Sequence, residues 1–270
     1  MTTVLFSLPV HESNETIRDT ISNVRRMVGW QHPIIIHADA NWQGFDPNLA
    51  YEHNVYINPQ RWPTGHAHCQ IPTHVSNFIH ASQLGLDFTH LSILHTSELF
   101  VRPDVADHIG AYEHSLWFTP DDQPYDPHWP PLQQAQQIWR GLPCYLGNII
   151  EGSWYARELF GEMTKFILRF HALDQLVLPW ALEECLFPTL SWFLTNGKNH
   201  TNPYCAFKHD QHFLSDPQFV DDIRAGRPVT FWQPHNFVYD YAPFPSQGLY
   251  SVKRINRDLA DPMRSYIRQL

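Results

Sequence analysis

The chain is short of charge, short of cysteine and without a long apolar run. Charged residues are 17% of its 270 positions, and 18 Lys and Arg face 27 Asp and Glu, a formal net charge of -9. An acidic balance excludes nucleic-acid binding through a general basic surface, and a small anionic ligand then needs Arg or Lys concentrated locally. The four cysteines (Cys69, Cys144, Cys185, Cys205) are widely spaced with no CxxC, so no disulfide framework is implied and a reducing cytoplasm is expected. No segment approaches the ~20 apolar residues that span a bilayer. The opening run from Thr3 to Val10 is interrupted by Pro9 and has no basic residue before it, which is not the pattern of a signal peptide. Walker, GxGxxG and GxSxG motifs are missing. Asp121-Asp122 and Asp39-Ala40-Asn41 only approach the metal-holding DxD signature.

Aromatic residues are abundant: 17 Phe, 11 Tyr and 10 Trp. They fit a large core, or a cleft that stacks on sugars or bases. Residues 3–10 read as a buried strand, 14–28 as a helix with Ile17, Ile21, Val24 and Val28 on one face, and 33–39 and 55–57 as further strands. Strand, helix, strand from the start predicts an α/β fold with a mostly parallel sheet flanked by helices. A helix over 74–86, a strand over 88–95, a short helix over 101–108 and helices over 156–171 and 181–194 follow. Proline-rich 119–143 reads as a long loop, and 198–248 as irregular. No repeat or clean linker divides the chain, so a single domain over 1–270 is expected.

Chemistry concentrates in a few places. Glu183-Glu184 lies in an otherwise apolar stretch; a carboxylate in an apolar cleft gains proton affinity and can act as a base, whereas two acids opening a helix simply suit its N-terminus. Val10-His11-Glu12 and His37-Ala38-Asp39 end adjacent strands, where open parallel sheets bind ligands. Glu98 follows the strand ending at Leu94-His95. His66, His68 and His74, with Cys69, have the look of metal ligands but lack HExxH. Lys253, Arg254 and Arg257 crowd five residues near the end. On a helix, Lys253 and Arg254 would point about 100° apart, so an extended backbone would suit joint contact with a diphosphate better.

In this order, these segments resemble the core-2/I-branching glycosyltransferase family, which includes the peptide O-xylosyltransferases. Leu8-Pro9-Val10-His11-Glu12 is similar to its first strand and nucleotide loop, and Ile35-Ile36-His37-Ala38-Asp39 to its H-x-D strand. Leu91 to Leu99 is similar to the strand ending in G-x-D-x-P, with Glu98 for the Asp and no glycine. Glu183-Glu184-Cys185-Leu186-Phe187-Pro188-Thr189-Leu190 is similar to its D-E-x-x-aromatic-x-T-aliphatic segment. Ser251 to Ile255 is similar to its basic motif, and Gly152-Ser153-Trp154 with Arg157-Glu158-Leu159-Phe160 to its G-S-x-W region at shorter spacing.

The resemblance implies a GT-A-like fold, with a nucleotide-binding half over 1–118 and an acceptor and catalytic half over 119–270. It implies inverting transfer of a sugar of the GlcNAc or xylose class from a UDP-sugar to a hydroxyl of a glycan or other acceptor, without a metal or other cofactor. Glu184 is then the base. Val10, His11, Glu12, Asp39, Glu98, Lys253 and Arg254 hold the donor, and Glu183 and Trp154 the acceptor. A soluble microbial or viral homologue is the implied form. Two alternatives from other classes stand beside it: a metal-dependent hydrolase using His66, His68 and His74, and a non-catalytic carbohydrate-binding protein.

Overall fold

The computed structural model describes residues 1–11, 13–64, 68–121, 128–173, 181–208, 212–230, 234–235, 238–239 and 243–270. The strands are β1 (Val4–Val10), β2 (Ile34–Ala38), β3 (Val55–Ile57), β4 (His90–Ile93), β5 (Leu99–Phe100), β6 (His114–Ser115), β7 (Trp154–Ala156), β8 (His200–Thr201), β9 (Cys205–Ala206), β10 (Pro234–His235), β11 (Val238–Tyr239) and β12 (Ser251–Val252). The helices are α1 (Asn14–Met27), α2 (Ile71–Gln83), α3 (Val105–Gly110), α4 (Pro130–Ile138), α5 (Arg157–Phe170), α6 (Glu183–Thr195), α7 (Pro217–Arg224) and α8 (Pro262–Arg268).

A seven-stranded sheet of order β3-β2-β1-β4-β7-β6-β8 forms the centre of an α/β fold, as expected. The pairs β3-β2, β2-β1 and β1-β4 are parallel, whereas β7 runs antiparallel to β4 and β6. All seven residues of β1 and all five of β2 are buried, so both faces of these strands are covered. That is why their sequences are predominantly apolar runs rather than alternating ones. Strands from both sides of residue 118 share this sheet, since β6 at 114–115 lies between β7 and β8. From β1 the chain passes to β2 on one side, and β4 takes the other. The crevice outside the carboxyl ends of β1 and β4 is therefore the switch point of the sheet.

Two expectations need correction. The loop expected over 119–143 contains α4, because Pro130 and Pro131 occupy the first helical positions, where a missing N–H costs nothing. The irregular stretch over 198–248 contains α7, which likewise opens on a proline, with the Asp216 carboxylate accepting the Gln218 N–H. A second sheet, β5-β12-β9, sits where the tail returns. Among the described residues, no helix is long and apolar enough to cross a membrane.

Candidate functional site

The ends of β1 and β2 are built around one loop. The Asp39 carboxylate accepts the Asn41 N–H at 2.7 Å and the Thr64 N–H and hydroxyl at 2.5 and 3.1 Å. Burial opposes its charge, but these bonds win and hold the group below the usual carboxylate range. The His37 Nε2 accepts the Trp62 N–H at 2.8 Å, and burial brings this imidazole down to about 4. Both polar side chains of the H-x-D strand thus clamp residues 62–64. Val10 is fully buried, and exposed His11 reaches the Thr64 hydroxyl at 3.4 Å. Glu12 lies outside the described residues.

Beyond β4 the chain turns through Leu94–Glu98 and is gripped by the tail. The Ile255 N–H donates to the Ser97 carbonyl, and the Arg264 guanidinium to that of Thr96. Glu98 is fully buried, and its Oε1 accepts the Ser251 hydroxyl at 2.6 Å. Burial pushes Glu98 up to about 7, although the Ser251 bond and the nearby charge of Lys253 oppose the shift. The His95 ring is held neutral by burial first, and then by Lys253, His74, Arg257 and His11 around it. Its Nε2 and the second Glu98 oxygen are buried and lack a hydrogen-bond partner. Buried polar atoms are nearly always satisfied, so two such atoms at the sheet switch point make this crevice a candidate place for a ligand.

Lys253 leaves β12 into this cluster. Its N–H donates to the Ala206 carbonyl, and Arg254 adopts a left-handed φ of 66°. The two cations therefore follow β12 on irregular backbone, not on a helix. The Lys253 side chain is 8% exposed, and its Nζ meets the Glu151 Oε1 at 2.5 Å. Glu151 is a site residue that the sequence reading missed. What places it is Gly152, with φ +68°, packed so closely that an added Cβ would stand 2.4 Å from the Cys205 Cβ and 2.7 Å from its N. Only glycine lets this loop lie against β9, beside β12 and Lys253. Burial raises Glu151, but Lys253 and Arg254 outweigh it and keep the carboxylate charged.

The Glu183-Glu184 pair opens α6, so both readings of it hold in part. Glu183 is buried at 4% exposure, and its carboxylate accepts the Gln70 N–H at 3.1 Å. Burial pushes it up to about 7. Glu184 is half-buried. Glu183 is thus tied to the protein interior, while its neighbour keeps some access. Pro188 cannot donate to the Glu184 carbonyl four residues earlier; Asn148 N–H donates there instead, at 2.9 Å. Thr189 accepts the Leu146 N–H at 2.8 Å. These two bonds stitch the segment leading to Glu151 to α6.

Trp154 does not join the site. It is fully buried in β7, stacked on Tyr204 with centroids 5.7 Å apart, and presents no surface to an acceptor. His74 is fully buried in α2 and bonded to the Ser7 hydroxyl at 2.8 Å. His66 lies outside the described residues, among which no three His, Cys, Asp or Glu side chains are grouped to hold a metal ion. Compared with protein-family models and with curated proteins, the chain finds no match in either.

Proposed function

We propose that this protein is an inverting glycosyltransferase of the core-2/I-branching type. It moves a sugar of the GlcNAc or xylose class from a UDP-sugar to an acceptor hydroxyl. The observation that carries this reading is the buried Lys253, which follows β12 to lie among Glu98, Glu151 and His95. An interior cation beside unsatisfied polar atoms is what a diphosphate needs where no metal is used.

In this mechanism Glu184, the more accessible of the pair, takes the acceptor's proton as the oxygen bonds to the anomeric carbon. The bond from that carbon to the diphosphate oxygen breaks with its electron pair, and UDP leaves from the opposite face. Lys253 and Arg254 meet its charge. Glu183 fixes the loop at Gln70 and the start of α6, so it positions Glu184. The nucleoside lies toward His11 and the loop that Asp39 clamps. All four cysteines are unpaired, which suits work in a reducing cytoplasm.

Release of UDP from UDP-N-acetylglucosamine and UDP-xylose, with a panel of glycan acceptors, tests the assignment. Glu184→Gln is expected to lower turnover by roughly 10²–10⁴-fold, the usual worth of a general base, with UDP binding retained. Full activity in that variant would remove Glu184 from the mechanism.

A further inference from the structure

The Lys253 ammonium already has an anion. Glu151 holds it at 2.5 Å through one oxygen, while the other oxygen is buried without a hydrogen-bond partner. A diphosphate drawn to Lys253 meets this carboxylate in place. Two anions on one buried ammonium repel strongly unless one is neutralised. The groups whose charge is felt mutually with Glu151 are Lys253 and Arg254 from the tail, Glu98 from the loop after β4, Glu183 from α6 and the Cys205 thiol from β9. Two of these are carboxyls that burial turns toward the neutral acid; Glu151 differs from them in its direct contact with Lys253.

We propose that Glu151 is a stand-in for the ligand: its carboxylate keeps on Lys253 the place of a phosphate, and yields it on binding by taking up one proton from solution. The proposal rests on the nucleotide-sugar reading and deepens it, since it makes donor binding a proton-coupled exchange of anions. The sign follows from the two states. Lys253 holds Glu151 below the ordinary carboxylate range, against the burial that raises it; once that contact is given up, burial turns the group toward the neutral acid. Between the pKa values of the two states one proton is bound per ligand. Affinity then falls as pH rises through that range, by up to about tenfold per pH unit.

Titration calorimetry with UDP-N-acetylglucosamine at pH 6, in two buffers of different ionisation enthalpy, counts the protons. The probe's diphosphate is a diester and does not titrate there. The wild type is expected to take up close to one proton more than Glu151→Gln. At pH 7 the variant should bind the probe at least about tenfold more tightly than the wild type, with an affinity that depends less on pH. Glu151→Ala should also lose the uptake, and melting curves establish that each variant is folded. Equal proton uptake in the wild type and both folded variants, with no gain in affinity, would overturn the proposal. A wild type that binds neither UDP-N-acetylglucosamine, UDP-xylose nor UDP would overturn the nucleotide-sugar reading, and this proposal with it.

Discussion

Glu98 and Glu183 are carboxyls that folding pushes from an ordinary 4.5 to about 7, in both cases chiefly by burial. Each binds its proton more tightly folded than unfolded. The stability linked to that proton is fully present below about 4.5 and is lost as pH rises through about 7. Replacing either by Gln keeps the size and removes the charge. Glu183→Gln is therefore expected to melt higher than the wild type at pH 8, by roughly 2–4 °C, the shift that ~1 kcal/mol produces in a domain of comparable size. At pH 4 the difference should vanish; a gain of the same size at both pH values would show that charge is not its cause. At this scale, the sequence marks the Glu183-Glu184 pair as costly to bury. It does not say which of two adjacent glutamates faces inward, because neighbours on a helix point about 100° apart and only the packing chooses between them.

At the scale of elements, the loop bearing Glu151 depends on its neighbour. Gly152 combines a left-handed φ of +68° with contact against the Cys205 backbone, whereas Gly85, at φ +66°, has nothing within 4 Å of an added Cβ. Gly85→Ala should cost about 1 kcal/mol, for backbone strain alone. Gly152→Ala should cost about 2–4 kcal/mol, since strain and overpacking add. It should also tighten UDP binding in the folded variant, because Glu151 displaced from Lys253 no longer competes with the phosphate. Urea midpoints and thermal shifts with UDP check both; equal costs at the two glycines would mean that the close approach to β9 matters little. The buried strands β1 and β2 were legible because covered parallel strands need unbroken apolar runs. The helices α4 and α7 were not, because a proline at the head of a helix looks in sequence like a proline in a loop. Trp154 was assigned to an acceptor for a similar reason: an aromatic that stacks on Tyr204 and one that stacks on a sugar have the same letter.

Over the whole molecule, α8 closes the structure. The fully buried Arg264 donates to the Asp19 carboxylate on α1, to the Thr96 carbonyl beside the site, and to the Asn256 carbonyl in the tail. Arg268 adds a second contact to Asp19 at 2.6 Å. Breaking such a buried pair from one side costs about 3–5 kcal/mol, because the other charge is left behind. Arg264→Met is expected to lose that much in urea unfolding. Arg264→Lys should not recover it, since one ammonium cannot reproduce a planar fork shared among three acceptors. A fully stable Lys variant would count against the clamp.

Composition and periodicity alone determined that the chain buries an α/β core with a parallel sheet, and that polar residues close its first strands at one edge. They did so because strand ends follow from local runs of residue types, and a parallel topology carries those ends to the same side. Tertiary structure alone decided that Glu151 meets Lys253 and that His95 and Glu98 lie among the cations. It also decided that Glu183 turns inward and that Trp154 joins the core. Those outcomes depend on contacts between segments up to a hundred or more positions apart, such as Lys253 with Glu151. Their energies come from burial and close approach, which no local pattern of residues contains.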